Sequence, residues 1–514
     1  MRERIARSAS IISLGNLASR LLGLVRDQLI AAIFGRGAAT DVFVVASQVS
    51  TALYDLLVGN ALSSALVPVF SERVGDPDRR RLWRLVSGVL NLALAVTAVG
   101  VALLVVLAPW VVEIVGGGFS AEVKALALGP TRIALLAVVA MAAAAVFTAA
   151  LYAFQEFTFP SFSAAVFNLG IIVSAILFHN RLEVNSLALG MALGALAQVA
   201  LQAPPLLGRR YRYSLYLDLL DPEIRRILRL YAPVMAGLLV STIGIIIDRN
   251  LASRTGEGSI AAMNFATRLI QLPLGLVSTA IASATLPILS QAADDLEGFK
   301  RALAGGLKLI VFLILPATVG LAVLAIPVIA LLFQHGAFRA QDTAVTAGAL
   351  LLYLPGLPFA AVDQLFIFAY YARKNTLTPV LVGVCAIGMY LATALALIGP
   401  YGMRGLVVAN SVQWTFHALV LGFLLWRSVQ GLGGQGLFST TAKAILAGAV
   451  MAMASYLGVH LLTGVFGSSG LVQQLGLVLA AGSLGLGVYV LTMRALGVEE
   501  ALLIWSLFRR KAQG

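Results

Sequence analysis

The sequence is poor in charge, cysteine and histidine, and each shortage excludes a class of protein. Charged residues make up 11% of the 514-residue chain and hydrophobic residues 60%, which excludes a soluble globular domain and is typical of a multi-pass membrane protein. The single cysteine, Cys385, lies in an apolar run, so we expect no disulfide framework and no redox role. The four histidines are scattered without metal-ligand spacing, at His179, His335, His417 and His460.

The motifs of catalysis and nucleotide binding are also missing from the sequence. It contains no Walker pattern, no nucleophile elbow and no nucleophile–base or metal constellation. We therefore expect neither an enzyme nor a cofactor or metal. The net charge is +13, but the basic residues lie between apolar stretches, as topology signals do, and they do not form the patch that binds nucleic acid. The start, MRERIAR, lacks a short apolar core with a cleavage site, which predicts an uncleaved first helix.

The first apolar stretch, residues 8–34, is long enough to cross a bilayer and carries Arg20, Arg26 and Asp27. A charge at membrane depth costs about 2.5–3.5 kcal/mol on insertion scales, so such residues usually face a polar interior. Helical spacing places four polar or small residues on one face: Asn16, Arg20, Gly23 and Asp27. We expect this stripe to face a hydrated cavity. The alternative is a surface helix whose arginines reach the headgroups.

The apolar pattern predicts fourteen spans and an amphipathic interfacial tail at 499–511. The spans are 8–34, 40–70, 84–108, 126–154, 159–179, 185–206, 226–253, 259–290, 306–333, 343–371, 377–399, 403–426, 440–463 and 471–494. Loops on the side of the N-terminus carry about 25 Lys and Arg residues and the opposite loops about 6. Both termini should therefore be cytoplasmic.

Four segment pairs recur in the same order at a nearly constant offset, which indicates an internal repeat. RDQLIAAIFGRG resembles IDRNLASRTGEG, GGGFSAEVKALALG resembles HGAFRAQDTAVTAG, YAFQEFTFP resembles YARKNTLTP, and LVPVFSE resembles TLPILSQ. Chance similarity among Ala-, Leu- and Gly-rich helices is the alternative. Six spans per repeat give a parallel repeat, with an N-terminal lobe at 1–220, a C-terminal lobe at 221–430, and two additional spans with the tail at 431–514.

A two-lobed transporter binds its substrate between the lobes, so the first two helices of each half should line the site. Arginines there suit an anion, because the guanidinium fork matches phosphate oxygens. For three carboxylates the sequence leaves two possible roles open. Asp27 binds substrate or pairs with a neighbouring arginine, Asp41 binds substrate or caps a helix, and Asp248 binds a coupling cation or pairs with Arg249. Asp363 is expected to be a structural hydrogen-bonding group.

The segment SRLLGLVRDQLIAAIFGRGAATDVF (19–43) resembles the opening signature of the MurJ/MviN family. ALVPVFSE, LLFQHGAFRAQDT and YYARKNTLTP fit the same family in the same order. The resemblance implies an all-α MOP-superfamily fold: two six-helix lobes around a cationic cavity, with two further helices forming a lipid-facing groove. It implies a flippase that moves lipid II, the undecaprenyl-diphosphate-linked peptidoglycan precursor, to the outer leaflet of the bacterial cytoplasmic membrane. The substrate-binding residues carried over by motif are Ser19, Arg20, Arg26, Asp27, Asp41 and Arg268.

The sequence departs from the family pattern at several positions of the expected cavity. Tyr54 and Asp55 stand where the family usually has two arginines, and Thr267 and Gln271 replace carboxylates. Span 11 lacks a carboxylate or Asn that could share a sodium ion with Asp248. A flippase for another polyprenyl-linked oligosaccharide is therefore the second hypothesis, and a cation-coupled drug antiporter the third. The expected partners are the lipid-linked diphosphate saccharide and membrane lipids, with a monomer as the expected state.

Overall fold

The structure, a computed structural model, describes residues 2–75, 79–218, 220–466, 470–498 and 500–501, and every regular element within these ranges is helical. The chain folds into two compact units, Met1–Ala261 and Ala262–Gly514. The helices that begin and end in the first unit are α1 (Arg2–Phe34), α2 (Ala38–Leu57), α3 (Gly59–Val74), α4 (Arg79–Val106), α5 (Ala108–Val115), α6 (Ala121–Ala153), α7 (Thr158–Leu182), α8 (Asn185–Gly208) and α9 (Pro222–Ser253).

The next helix, α10 (Ser259–Pro273), starts at the end of the first unit and continues into the second. A π-helical turn at Leu274–Ser278 follows it, and a 3₁₀ turn at Leu354–Gly356 lies further along. The remaining helices are α11 (Thr279–Gln291), α12 (Leu296–Val323), α13 (Ala325–Phe333), α14 (Ala340–Tyr353), α15 (Leu357–Ala372), α16 (Leu377–Tyr401), α17 (Met403–Ser428), α18 (Leu437–Phe466) and α19 (Leu471–Ala495).

Eleven helical segments in the described ranges are long and apolar enough to cross a membrane, which confirms the all-α multi-pass fold. Each of the fourteen predicted spans overlaps a helical segment, but α1, α2 with α3, and α9 are not among the eleven. Those three carry most of the charged residues expected in the cavity. The count of fourteen stays a prediction, and the predicted tail at 499–511 lies almost wholly outside the described residues.

The alanine-rich helix α6 forms the centre of the first unit, where it packs against α2, α3, α4 and α8. Its half from Ala142 to Ala153 is almost wholly buried, in a core that also holds Phe70, Trp83 and Phe147. Small side chains let helix backbones approach closely, which membrane helices need because lipid gives little hydrophobic drive for association. The helices α7 and α8 show this most directly, since a Cβ on Gly170 would overlap the backbone of Gly194.

Helix α9 packs against α2, α3, α4 and α5 in the first unit, although the repeat assigns it to the predicted C-terminal lobe. Two ion pairs fasten its start to the end of α3: Arg73 with Glu223, and both terminal nitrogens of Arg226 with the two oxygens of Glu72 at 2.8 and 3.0 Å. The hydrogen bonds from Arg226 hold the pKa of Glu72 below its usual range. The compact units thus divide the chain after Ala261, and the predicted lobe boundary at 220/221 remains a prediction from the repeat.

The last two helices, α18 and α19, pack against each other and against α12 in the second unit. The buried Tyr489 hydroxyl donates to the Phe312 carbonyl at 2.9 Å, in a cluster with Met451 and Met493. The opposite faces of both helices expose large apolar side chains such as Leu461 and Leu491. Such faces are stable against hydrocarbon.

Candidate functional site

Arg26 and Asp27 form an ion pair on α1. The Arg26 Nε and Nη2 atoms donate to Asp27 Oδ1 at 2.9 and 2.7 Å. The two side chains are only 15% and 6% exposed, so protein encloses most of this arginine. The pairing predicted as the alternative for Asp27 is the one that the structure contains, and binding of substrate by Asp27 stays a prediction.

Asn168 of α7 fixes this pair from a second helix. Its Oδ1 accepts from Arg26 Nη1 at 2.9 Å, and its Nδ2 donates to the Ser19 carbonyl at 3.1 Å. Helix α7 lies close against α1, since a Cβ on Gly15 would overlap the backbone of Ser161. Asn168 is not among the site residues predicted from the sequence. The signal it offered was an isolated amide in the apolar run AVFNLGIIV.

Arg26 keeps part of its binding capacity in this arrangement. Residues in the described ranges use three of its N–H groups, and since a guanidinium has five, two remain for a ligand. Asp27 balances the charge of Arg26, so the positive charge of this face of α1 comes from Arg20. The Arg20 side chain is exposed and makes no hydrogen bond or ion pair with residues in the described part of the chain.

Asp41 of α2 caps the start of α10. Its two carboxylate oxygens accept from the backbone N–H groups of Gly258 at 2.6 Å and Ala261 at 2.7 Å, and the residue is 1% exposed. Glu257 reciprocates, since its Oε1 accepts from the N–H of Ala38 at the start of α2 at 2.9 Å. Asp41 is therefore a helix cap, as the alternative held, but for a helix distant in sequence. Its role in substrate binding stays a prediction.

Asp248 and Arg249 lie near the end of α9 and face each other loosely. The closest N···O distance is 3.8 Å, and the side chains are 19% and 14% exposed. The Arg249 Nε is buried without a hydrogen-bond partner among the described residues. This pairing is the alternative considered for Asp248. The described residues contain no group of three or more His, Cys, Asp or Glu side chains that could hold a metal ion.

Arg268 lies on α10 in the second unit and is partly buried. Its Nη1 donates to Gln271 Oε1 at 3.4 Å, one turn along the helix. Five residues after Arg268, Pro273 ends the α-helix and the π-helical turn begins. Proline removes one backbone donor, and π-turns inside helices frequently mark functional sites. The predicted convergence of Arg268 with Arg20 and Arg26 remains a prediction.

Tyr54 and Asp55, which replace the expected arginine pair, lie just before the break between α2 and α3. Both side chains are partly buried. The Tyr231 hydroxyl of α9 donates to the carbonyls of Asp55 at 3.2 Å and Leu56 at 3.0 Å. These carbonyls belong to the last turn of α2, which has no intrahelical donors for them. The hydroxyl thus joins the segment with Tyr54 and Asp55 to α9 through backbone carbonyls, and these hydrogen bonds do not depend on the side chains at those positions.

The chain is similar to known proteins over most of its length. The family model described as lipid II flippase MurJ matches residues 30–475. A protein described as a probable lipid II flippase MurJ from Vibrio cholerae is 33% identical over 465 residues, which cover 88% of this chain and 87% of that protein. The lipid II flippase MurJ of Burkholderia cenocepacia is 29% identical over 436 residues, covering 81% and 82%.

Solved structures give the same result at the level of the fold. The inward closed conformation of a lipid II flippase MurJ superposes with a TM-score of 0.78 at 25% identity, over 94% of this chain and 99% of that one. An inward-facing multidrug MATE transporter of the MOP superfamily gives 0.68 at 17% identity, over 80% and 95%. The second likeness shows the fold alone.

Proposed function

The chain belongs to the MurJ family of lipid II flippases, and we propose that it moves lipid II from the inner to the outer leaflet of the bacterial cytoplasmic membrane by alternating access through a cationic cavity. The observation that carries the proposal is the family match over residues 30–475, together with a relative of similar length that is 33% identical. Lipid II flipping ties the chain to peptidoglycan synthesis. The geometry of the arginines supports a way in which the headgroup could be bound.

The diphosphate is the part of the substrate that the arginines select. Arg26 is held by Asp27 and Asn168 with two N–H donors left, so little side-chain entropy is lost when an anion binds. Arg20 adds an unbalanced charge on the same helix, and Arg268 supplies a third guanidinium. Hydrogen bonds between ionised groups are roughly twice as strong as neutral ones. The polyprenyl chain remains in hydrocarbon along the exposed apolar faces of α18 and α19.

Release on the outer side requires a second conformation. The hydrogen bonds from Gly258 and Ala261 to Asp41 join α2 to the start of α10, at loops predicted to face outward. Opening of the protein at these loops breaks the two hydrogen bonds to Asp41. The outward state therefore lacks the helix caps that stabilise the closed state. Substrate shifts this equilibrium only by the difference in its affinity for the two states. The membrane potential adds about 2.3 kcal/mol per charge per 100 mV to any step that moves net charge.

A flippase for another polyprenyl-linked oligosaccharide is the second candidate, and Tyr54 and Asp55 are the observation that favours it. They remove two positive charges and add a negative one beside the expected cavity. Loss of charge at this position alters the part of the site that would meet a headgroup. The diphosphate itself is common to both substrate classes, so the arginines do not distinguish them.

Flipping by purified protein in liposomes tests the proposal. Liposomes receive fluorescent lipid II, or the same polyprenyl diphosphate carrying a different oligosaccharide, and the fraction accessible to an external reagent is followed. We expect the protein to flip lipid II and to prefer it. A preference for the other oligosaccharide would select the second candidate, and flipping of neither would reject both. Complementation of cells depleted of their lipid II flippase gives the same distinction in vivo.

The arginine mechanism has its own variant and control. Arg26→Gln removes a charged phosphate ligand, and we expect flipping to fall about 10- to 100-fold, the effect of removing one charge-assisted hydrogen bond. Arg132→Gln is the matched control, because Arg132 also lies in a predicted span but is exposed on α6. Equal activity of Arg26→Gln and wild type at equal amounts of folded protein would remove the arginine from the mechanism.

A further inference from the structure

Asp363 of α15 and His417 of α17 form an ionisable pair inside the second unit. His417 Nδ1 lies 2.8 Å from both carboxylate oxygens of Asp363. The His417 side chain is 15% exposed and that of Asp363 17%. Each lies near the middle of its helix, in a segment long and apolar enough to span the membrane. From its sequence, Asp363 is predicted to be a structural hydrogen-bonding group.

The surroundings of the ring determine its protonation. Nδ1 faces two carboxylate oxygens, and Nε2 faces the carbonyl oxygen of Pro379 on α16 at 3.5 Å. With Asp363 ionised, all three oxygens are acceptors, and a proton on each ring nitrogen satisfies both contacts. This arrangement favours a doubly protonated ring, which forms a neutral pair with the carboxylate. Loss of one proton would leave a net negative charge and an unfavourable approach of Nε2 to the carbonyl.

Two of the helices that pack against α15 and α17, namely α11 and α16, carry no Asp, Glu, Lys or Arg. The titratable and charged residues on the helices packed against α15 and α17, or directly after α15, are Glu297, Lys300, Arg301, Lys308, Asp342, Tyr353, Tyr370, Tyr371, Arg373, Lys374, Cys385, Tyr390, Tyr401, Arg404 and Arg427.

The pair is also close to the irregular part of the segment that carries Arg268. Ser278, the last residue of the π-helical turn, is buried and donates to the Ala361 carbonyl of α15 at 2.5 Å. Asp363 follows two residues later on that helix. A change of charge at Asp363 thus acts on α15, the helix that is hydrogen-bonded to the π-turn after Arg268. A change of charge at His417 acts on the contact between α16 and α17.

We propose that Asp363 and His417 form a proton-binding site in the second unit, and that release of the proton is a step of the transport cycle. The coupling to transport rests on the proposed function, whereas the proton site itself does not. Both side chains keep some exposed surface, through which a proton can exchange. The proposed proton site is separate from Asp248, for which the sequence predicts either a coupling cation or pairing with Arg249.

Nitrogen NMR of histidine tests the site without reference to transport. The chain has four histidines, so a protein with His179→Gln, His335→Gln and His460→Gln reports on His417 alone. In nanodiscs at neutral pH we expect the two ring nitrogens to show imidazolium shifts, and Asp363→Asn to remove them. A singly protonated ring at neutral pH would overturn the proposal.

Flipping at a series of pH values tests the coupling. At pH values above the point of half-occupancy, the occupancy of a single proton site falls about tenfold per pH unit. We expect the flipping rate of wild type to fall in parallel with this occupancy. His417→Gln should make the rate independent of pH over that range, while His460→Gln, which changes a ring stacked on Tyr456, should follow wild type. An unchanged pH profile in folded His417→Gln would refute the coupling. A wild type that does not flip lipid II would count against the proposed function, and the NMR result would still decide the site.

Discussion

Single residues in the first unit show two ways of keeping a charge inside a membrane protein. Arg26 is balanced by its neighbour Asp27 and oriented by Asn168, which leaves donors for a ligand. Asp41 has no cationic partner at hydrogen-bond distance among the described residues and is satisfied by two backbone amides. An isolated ion in an apolar medium is costly unless such hydrogen bonds replace water. The first arrangement suits binding, and the second suits the joining of two helices.

Asn168→Ala should reduce flipping about 3- to 30-fold, because Arg26 loses the acceptor that orients it and α1 loses a hydrogen bond to α7, each worth about 1 kcal/mol. Arg26 would keep its charge and its pairing with Asp27. Asn410→Ala is the control, since the Asn410 amide donates to the Leu406 carbonyl of its own helix. Liposome flipping rates at matched protein levels measure the effect. Equal rates for Asn168→Ala and Asn410→Ala would show that Asn168 does not position the arginine.

Asp41→Ala should destabilise the protein by about 2–4 kcal/mol, because two buried amides lose their acceptors and a cap is removed. Glu257→Ala removes only the more exposed reciprocal cap on Ala38, and we expect less than about 1 kcal/mol. Thermal unfolding followed in detergent ranks the two variants. If Glu257→Ala lowered the melting temperature as much as Asp41→Ala, the buried cap would contribute no more to stability than the exposed one.

Individual helices were predictable from the apolar pattern, but their irregularities were not. All predicted spans overlap helices, because length and apolarity decide which segments become helical in a membrane. The break of α2 at Val58 and the π-turn after Pro273 were missed, since both depend on packing as well as on local sequence. The motif singled out Arg26 and Asp41, but their partners Asn168 and Gly258 lie 142 and 217 residues away.

Helix α7 packs against α8 through glycines, and this interface should not accept a side chain. In Gly170→Val the new Cβ would overlap the backbone of Gly194, which cannot move without separating the helices. We expect little folded protein by fluorescence-detected size-exclusion chromatography. Gly388→Val on α16 is the control, because a Cβ there would meet no described atom within 4 Å beyond the adjacent backbone of its own helix. Normal folding of Gly170→Val would show that the two helices tolerate a wider separation.

At the scale of the whole molecule, the distribution of basic residues predicts which loops face the cytoplasm. Cys385 is the only cysteine, so Cys385→Ala gives a background for single-cysteine labelling. A membrane-impermeant thiol reagent added to spheroplasts should label Arg339→Cys, in a loop predicted outside. Lys374→Cys, in a loop predicted inside, should react only after the membrane is opened. The reverse pattern would invert the topology and with it the direction of transport.

We propose that Arg26 and Arg268 bind the same diphosphate. A double-mutant cycle on lipid II affinity tests it most directly, using wild type, Arg26→Gln, Arg268→Gln and the double variant in nanodiscs. Residues that share a ligand network show coupling of about 0.5–3 kcal/mol. We predict that each single variant weakens binding and that their effects do not add. Additive effects, or an Arg268→Gln variant that binds lipid II as wild type does, would show that the two arginines do not bind one diphosphate.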